Sequence, residues 1–178
     1  FIYSNFNCGI LACIVEKVSG ILFTDYVRQE ILLPMGLDAS FRANDIINPD
    51  IATTYLPDGE GVRISRTREN FIDAVYDIFP LGENFRGPAG GLFINMRDLS
   101  RLMNVLIYKG YPLFKQTTIN EMLSVQWEGI GEGAYRAKGL QVIILNFEGT
   151  HLKGHFGDAY GVKSFMLFNE EKQIGIIY

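Results

Sequence analysis

The tripeptide Tyr3-Ser4-Asn5 stands directly before the first predicted helix and carries side chains that could take part in acyl transfer. A tyrosine can act as a general base where nearby cations lower its pKa, because the phenol is otherwise protonated at neutral pH. The asparagine amide offers both a donor and an acceptor to a substrate amide or ester. Taken alone, the tripeptide also fits an aromatic core anchor followed by a helix-capping asparagine.

A second candidate lies near the other end of the chain, in Gly154-His155-Phe156-Gly157, just before a predicted strand. An imidazole there can supply a hydrogen bond or a positive charge, and a glycine lets a substrate lie close along a strand edge. The alternative is a turn histidine whose ring is satisfied by the backbone. His151 and His155 have a metal-like spacing for a helix, but the surrounding glycines disfavour a helix, so no metal site is predicted.

The composition argues against several functional classes. The 16 basic and 20 acidic residues give a net charge of −4, and no Lys/Arg-rich stretch is present to follow a nucleic-acid backbone. The longest apolar run, residues 10–15, is far shorter than the roughly 20 residues that cross a bilayer. No Gly-Lys-Ser/Thr phosphate-binding motif occurs. We therefore predict no nucleic-acid partner, no membrane span and no cofactor.

Two helices are predicted in the N-terminal part of the chain. In the first, apolar residues recur at helical spacing until Gly20 ends the pattern. In the second, Thr24 is the predicted N-cap and Pro34 closes the helix. Residues 40–88 lack a clear period and contain strong turn signals, so they are predicted to be loop-rich.

Two further helices are predicted in the middle of the chain. The first has Asn95 as its N-cap, an apolar face at helical spacing, and Gly110 at its end. The second starts at Thr118-Ile119-Asn120-Glu121, which has the form of a capping box, and runs to about Val125.

The C-terminal part changes to short segments rich in Val, Ile and Phe. Residues 139–145, 162–168 and 173–178 are predicted to be antiparallel strands. Helices followed by strands indicate an α+β fold. We predict one domain, with a mostly helical region over residues 1–138 and the antiparallel strands over residues 139–178.

The first 20 residues resemble the segment around the second active-site motif of class C β-lactamases and penicillin-binding proteins. Further landmarks of that family follow in the right order, namely Pro34-Met35-Gly36-Leu37, Pro88-Ala89-Gly90-Gly91-Leu92-Phe93 and Arg97-Asp98-Leu99-Ser100-Arg101-Leu102-Met103. The resemblance implies a β-lactamase or DD-peptidase-like α+β fold and a serine hydrolase that forms an acyl-enzyme on an amide or ester.

The resemblance also implies roles for particular residues. Tyr3 would be the general base, Asn5 would orient the acyl amide or ester, and His155 would support the pocket as the first residue of the family's third motif. Gly157 would be the last residue of that motif, and a backbone N–H near Asp158 would contribute to the oxyanion hole.

Phe156 departs from the Ser or Thr that is usual at the middle position of this motif, so no hydroxyl is available there to anchor a substrate carboxylate. This favours an esterase or amidase over a β-lactamase or a carboxypeptidase.

The family's nucleophile motif, Ser-x-x-Lys, does not occur in these residues. None of the seven serines has a lysine three residues later. Because the serine lies upstream of Tyr-x-Asn in relatives, we expect it before Phe1, which makes this chain an incomplete domain without hydrolase activity of its own. By the same resemblance the protein is expected to be periplasmic or secreted.

Two rival hypotheses remain open. The first is a non-catalytic binding or regulatory protein with the same fold, which Phe156 favours. The second is a stand-alone helical domain whose resemblance is accidental. An incomplete sheet would also expose an unpaired edge, so self-association through the final strands is expected.

Overall fold

The computed structural model describes residues 1–47, 50–72, 79–85, 88–110, 113–131 and 135–178. Contacts divide the chain into two compact units. The helical unit comprises residues 4–98 and 159–162, and the sheet unit comprises residues 1–3, 99–158 and 163–178.

The first helix of the helical unit, α1 (Asn5–Ser19), ends as the sequence predicts. Gly20 adopts a left-handed conformation with φ 76°, and its N–H donates to the carbonyl of Glu16. The next helix, α2 (Phe23–Val27), continues directly into a π-helical turn (Arg28–Leu32).

The predicted N-cap of α2 is wrong. Leu22 occupies the cap position, while Thr24 lies inside the helix with a buried hydroxyl that has no hydrogen-bond partner among the described residues. The reason is tertiary: the Glu16 carboxylate accepts the N–H of Phe23, so a side chain of α1 satisfies the start of α2.

The Glu16 side chain, 3% exposed, also connects α1 to a distant part of the unit. Its two carboxylate oxygens accept the N–H of Phe23 at 2.9 Å and the N–H of Gly82 at 2.6 Å. Glu16→Ala is expected to lower the free energy of unfolding by ~1–3 kcal/mol for each buried donor left unpaired. Urea denaturation measures this, with the exposed Glu30→Ala as the matched control. Equal stability of the two variants would contradict the assignment.

Residues 40–88 contain more regular structure than the sequence predicts. They form a 3-10 turn (Ala43–Asp45), an antiparallel hairpin of β1 (Thr54–Asp58) and β2 (Gly61–Arg66), and a short helix, α3 (Arg68–Ile72). Strand β2 alternates apolar and polar residues over 62–65, but it is exposed on nearly every residue, so the alternation does not mark a buried face. One of the predicted turns is present, as residues 59–60, which connect β1 and β2. Parts of this segment, residues 48–49, 73–78 and 86–87, lie outside the described residues.

Helix α4 (Met96–Ile107) begins with the predicted cap. The side-chain oxygen of Asn95 accepts the N–H of Asp98 at 2.9 Å, which confirms Asn95 as the N-cap. The Asp98 carboxylate, itself buried, accepts the N–H of Asp38 at 3.1 Å and so holds the loop before the 3-10 turn. Gly110, with φ 98°, follows the end of the helix.

The sheet unit contains a six-stranded sheet in which each strand is hydrogen-bonded to the next along the chain. The pairs β3–β4, β4–β5, β5–β6 and β7–β8 are antiparallel. The strands are β3 (Trp127–Glu128), β4 (Ala137–Lys138), β5 (Ile143–Phe147), β6 (Thr150–Ala159), β7 (Val162–Asn169) and β8 (Ile174–Ile177).

The core of this unit lies between α4, the next helix α5 (Gln116–Leu123), and the sheet. Phe168 of β7 and Ile119 of α5 are completely buried at its centre. The other buried members of the cluster are Met103, Ile107, Leu123 and Val142. Since helices and strands share one apolar core, the fold is α+β, as predicted.

The predicted capping box is wrong. Helix α5 starts at Gln116 with Lys115 as its N-cap residue, so Thr118 and Glu121 lie inside the helix. The Lys115 carbonyl accepts the N–H groups of Thr118 and Ile119, so the helix starts before the predicted cap at Thr118. Ile119 is then completely buried in the core.

The strand predictions succeed for β7 and β8 and fail for β6. Residues 154–157 are predicted to lie just before a strand and no strand is predicted over residues 150–159, yet Thr150–Ala159 forms the longest strand described. The predicted strand over residues 139–145 begins later, at Ile143, because residues 139–142 form a turn closed by the N–H of Gly139 and the carbonyl of Val142. In each case pairing with neighbouring strands outweighs local propensity.

Among the described residues, no single helix has the length and apolar character to cross a bilayer. The bent pair Asn5–Ser19 and Phe23–Leu32, with 81° between its members, meets the criterion of length and composition only when both are counted together.

Candidate active site

Strand β6 places the His155 side chain in the sheet unit. The residue before it, Gly154, has φ 154°, and an added Cβ would lie 1.8 Å from the carbonyl oxygen of Met166. Only glycine allows β6 and β7 to approach so closely. The glycines of this segment therefore fix the strand that carries the histidine rather than interrupting it.

The ring of Tyr3 lies beside that of His155, although the two residues are far apart in the sequence. The ring centroids are 5.9 Å apart and the planes are inclined by 54°. Both side chains are half-buried. The structure thus brings the tyrosine of the predicted second motif and the histidine of the predicted third motif into contact.

The imidazole of His155 has a defined partner. Its Nδ1 lies 2.5 Å from the carbonyl oxygen of Phe156, and since a carbonyl only accepts, Nδ1 carries the proton. In the neutral ring Nε2 is then a hydrogen-bond acceptor. Such a nitrogen could receive a proton from a substrate or from a neighbouring hydroxyl.

The sequence analysis missed Lys138, which the structure places beside Tyr3. Its side chain is only 7% exposed, and its ammonium lies 4.4 Å from the ring centroid of Phe1, 5.4 Å from that of Tyr135 and 5.9 Å from that of Tyr3. In the sequence Lys138 only precedes a predicted strand, and nothing in that position reveals its burial. The position of Lys138 beside Tyr3 becomes visible only once β4 is paired with β3 and β5.

The remaining predicted site residues are placed as follows. Asn5 is exposed and is the first residue of α1, in the helical unit. Gly157 is half-buried in β6, where an added Cβ would meet the hydroxyl of Ser164 at 2.5 Å. Asp158 is exposed and forms an ion pair with Lys163, with 2.7 Å between Nζ and Oδ2. The contact between Tyr3 and His155 is thus the part of the predicted site that the sheet unit brings together.

Phe156 lies on the opposite face of β6 from His155, because successive side chains of a strand alternate between faces. Its ring makes an edge contact with Phe165, with centroids 6.4 Å apart. The side chain therefore packs with an aromatic neighbour on the sheet and supplies no polar atom to a ligand.

A metal centre has no support in the described part of the chain, where no group of three or more His, Cys, Asp or Glu side chains could hold an ion. His151 and His155 both lie on β6, which puts their backbones about 13 Å apart. The prediction that this segment is not helical is confirmed.

Cys13 offers no ready nucleophile. Burial, with the nearby Glu16 carboxylate as a second cause, raises the pKa of the Cys13 thiol. A raised pKa keeps the sulfur protonated at neutral pH, whereas a nucleophilic cysteine needs its thiolate.

The antiparallel sheet packed against α4 and α5 agrees with the α+β fold that the resemblance to β-lactamases and penicillin-binding proteins predicts. The sequence model of the family described as Beta-lactamase matches residues 1–178, and the chain belongs to that family.

The relatives are similar over nearly all of this chain. "Beta-lactamase-like protein 2" from Dictyostelium discoideum is 22% identical over 99% of the chain, which corresponds to 30% of that protein. The octameric penicillin-binding protein homologue from Pyrococcus abyssi has a TM-score of 0.80 and 24% identity, with coverage of 99% of this chain and 37% of the other. The D-amino acid amidase from Ochrobactrum anthropi SV3, complexed with L-phenylalanine amide, has a TM-score of 0.73 and 21% identity, with coverage of 98% and 48%. The chain therefore spans less than half the length of each of these relatives.

Proposed function

We propose that this chain is part of a serine hydrolase that cleaves an amide or ester through an acyl-enzyme, with its nucleophile in a Ser-x-x-Lys segment outside residues 1–178. The observation that carries the proposal is the contact between Tyr3 and His155, two residues that the family's motifs predict to share a site. Membership of the β-lactamase family supports the same reaction class.

Each residue then has a role in the two steps. Tyr3, as phenolate, accepts the proton of the attacking serine and passes it to the leaving group as the acyl group transfers to the serine oxygen, which returns Tyr3 to the phenolate. Asn5 holds the acyl amide or ester, and His155 donates or accepts a hydrogen bond at the pocket. The backbone near Gly157 and Asp158 supplies an N–H to the developing oxyanion. Water then hydrolyses the ester with Tyr3 again as the base.

The substrate class that fits best is an amide or ester whose binding does not need a hydroxyl at residue 156 to hold a substrate carboxylate. An aromatic side chain packed on Phe165 provides no hydroxyl to bind a carboxylate. The similarity to a D-amino acid amidase supports an amidase or esterase over a β-lactamase or carboxypeptidase.

Two further expectations belong to the proposal. Residues 1–178 alone are inactive, because none of their serines is followed by the activating lysine. The protein acts in the periplasm or outside the cell, which a fractionation experiment with an antibody against this chain would test. Activity of the purified 178-residue chain towards an activated ester would contradict the first expectation.

We also propose that the chain associates with itself through β8, the last strand of the sheet order. Ile174 and Ile176 of this strand are more than half exposed. Open strand edges pair readily with other chains, and an octameric homologue supports association. Light scattering is expected to give a mass above that of one chain, rising with concentration. The mass of a single chain at high concentration would contradict this proposal.

The second candidate function is a binding or regulatory protein that keeps the fold without the reaction, and Phe156 is the observation that favours it. The coding sequence before Phe1 separates the two, since Ser-x-x-Lys favours the enzyme and its absence favours the binding protein. Covalent labelling of the protein by a fluorophosphonate, followed by peptide mass spectrometry, gives the decisive result. A label on the serine of that motif supports the hydrolase, and no label on any serine contradicts it.

A further inference from the structure

Lys138 has surroundings that are unusual for a lysine. Lysine side chains are seldom buried unless their charge is compensated. Here the ammonium lies against three aromatic rings, of which Phe1 and Tyr135 are the nearer two and Tyr3 is the third. The negative faces of such rings attract a cation, and the attraction is strongest where water is excluded.

The rings around this ammonium form a connected group. Phe1 lies between Trp127 and Tyr135, with centroid distances of 5.5 Å and 5.3 Å. Tyr3 stacks on Tyr135 at 6.3 Å with only 13° between the planes. Strand pairing places Lys138 opposite Trp127 of β3 and Ile143 of β5. The lysine is therefore held in place by the sheet and by the rings together.

We infer that Lys138 is a positioning residue whose buried ammonium favours the phenolate form of Tyr3. This inference rests on the proposed function, in which Tyr3 must lose its proton to act as a base. An opposite charge within ~4–6 Å favours the ionised form of a titratable group. A phenolate ring is also richer in electrons than a phenol ring, so the cation beside it stabilises the ionised form more.

The titratable groups that face Tyr3 within the described part of the sheet unit include Lys138 on β4, Tyr135 just before β4, and His155 on β6. A neutral His155, with Nδ1 donating to the backbone, adds no charge. Tyr135 adds none while it is protonated. Lys138 thus brings a positive charge to within 5.9 Å of the Tyr3 ring centroid.

The test is a titration of the tyrosine itself. Tyrosines carrying ¹³C at Cζ are followed by NMR against pH, and Tyr3→Phe assigns the Tyr3 signal among the nine tyrosines. We expect Tyr3 in the native protein to titrate below the ordinary value of about 10. Lys138→Met should raise its midpoint by roughly one to three pH units, whereas Lys138→Arg, which keeps the charge, should restore most of the native value. The exposed Lys172→Met is the matched control and should leave the midpoint unchanged.

Two results would overturn the inference. The first, seen in the native protein without any variant, is a Tyr3 that titrates at the ordinary value. The second is a Tyr3 titration midpoint that does not change in Lys138→Met. In a protein that contains residues 1–178 together with the nucleophile, the acid limb of kcat/KM should move to higher pH by the same amount in Lys138→Met. If the midpoint depends on Lys138 but Tyr3→Phe leaves turnover unchanged, the proposed function fails while the coupling stands. If Tyr3→Phe abolishes turnover and Lys138→Met shifts nothing, only the inference fails.

Discussion

Tyr3→Phe is expected to reduce turnover of an activated ester by a factor of roughly 10² or more. The substitution removes one hydroxyl and leaves the aromatic contacts of Tyr3 with Tyr135 and His155. Phenylalanine has no proton acceptor, so the attacking serine would lose its base while the ring group that holds Lys138 stays in place. The measurement is kcat/KM for a nitrophenyl ester, made on protein that contains the Ser-x-x-Lys segment.

Tyr108→Phe is the matched control, because Tyr108 lies in the sheet unit and is 54% exposed. It removes the same hydroxyl and should leave kcat/KM within about twofold, as surface substitutions have small effects. Equal losses in both variants would indicate a general effect of losing a tyrosine hydroxyl. An unchanged rate for Tyr3→Phe would remove Tyr3 from the mechanism.

Phe168→Ala is expected to have the largest effect on stability, with a loss of about 3–5 kcal/mol in the free energy of unfolding. Phe168 is completely buried where β7 meets the core formed by α4 and α5. Truncation removes the transfer free energy of the ring and leaves a cavity that the surrounding helices and strands fill only in part. Since domains are stable by only about 5–15 kcal/mol, the variant should be largely unfolded at moderate urea concentrations.

Phe147→Ala is the control for this prediction. Phe147 is the last residue of β5 and is 66% exposed, so the same truncation removes little buried area. Its unfolding midpoint should lie near that of the unmodified chain. A loss of stability for Phe147→Ala as large as for Phe168→Ala would mean that the core is not centred on β7.

The contrast between Asn95 and Thr24 shows when a helix N-cap can be predicted from the local sequence and when it cannot. Asn95 caps α4 because its side chain meets an amide three residues later, and such an interaction can be predicted from a short stretch of sequence. Thr24 has the same capping chemistry, yet Glu16 of α1 satisfies the start of α2 instead. A short stretch of sequence around Thr24 cannot reveal that a side chain from another helix will accept the hydrogen bond at the start of α2.

Strand β6 gives the same result for the sheet. Its glycines disfavour a helix and no strand is predicted there, but pairing with β5 and β7 and the close approach at Gly154 make it a continuous strand. Glycine has a low intrinsic strand propensity, and in this strand the close packing of two backbones requires it.

The sequence by itself determined the family, the α+β class and the identity of Tyr3 and His155 as candidate residues, because motif order and side-chain periodicity are properties of the chain alone. Only the tertiary structure decided that the rings of Tyr3 and His155 lie 5.9 Å apart and that Lys138 is buried beside Tyr3. Proximity between residues far apart in the chain depends on strand register and on the packing of the core. The charge next to Tyr3 follows from the pairing of two-residue strands, β3 and β4, which are too short to leave a pattern in the sequence.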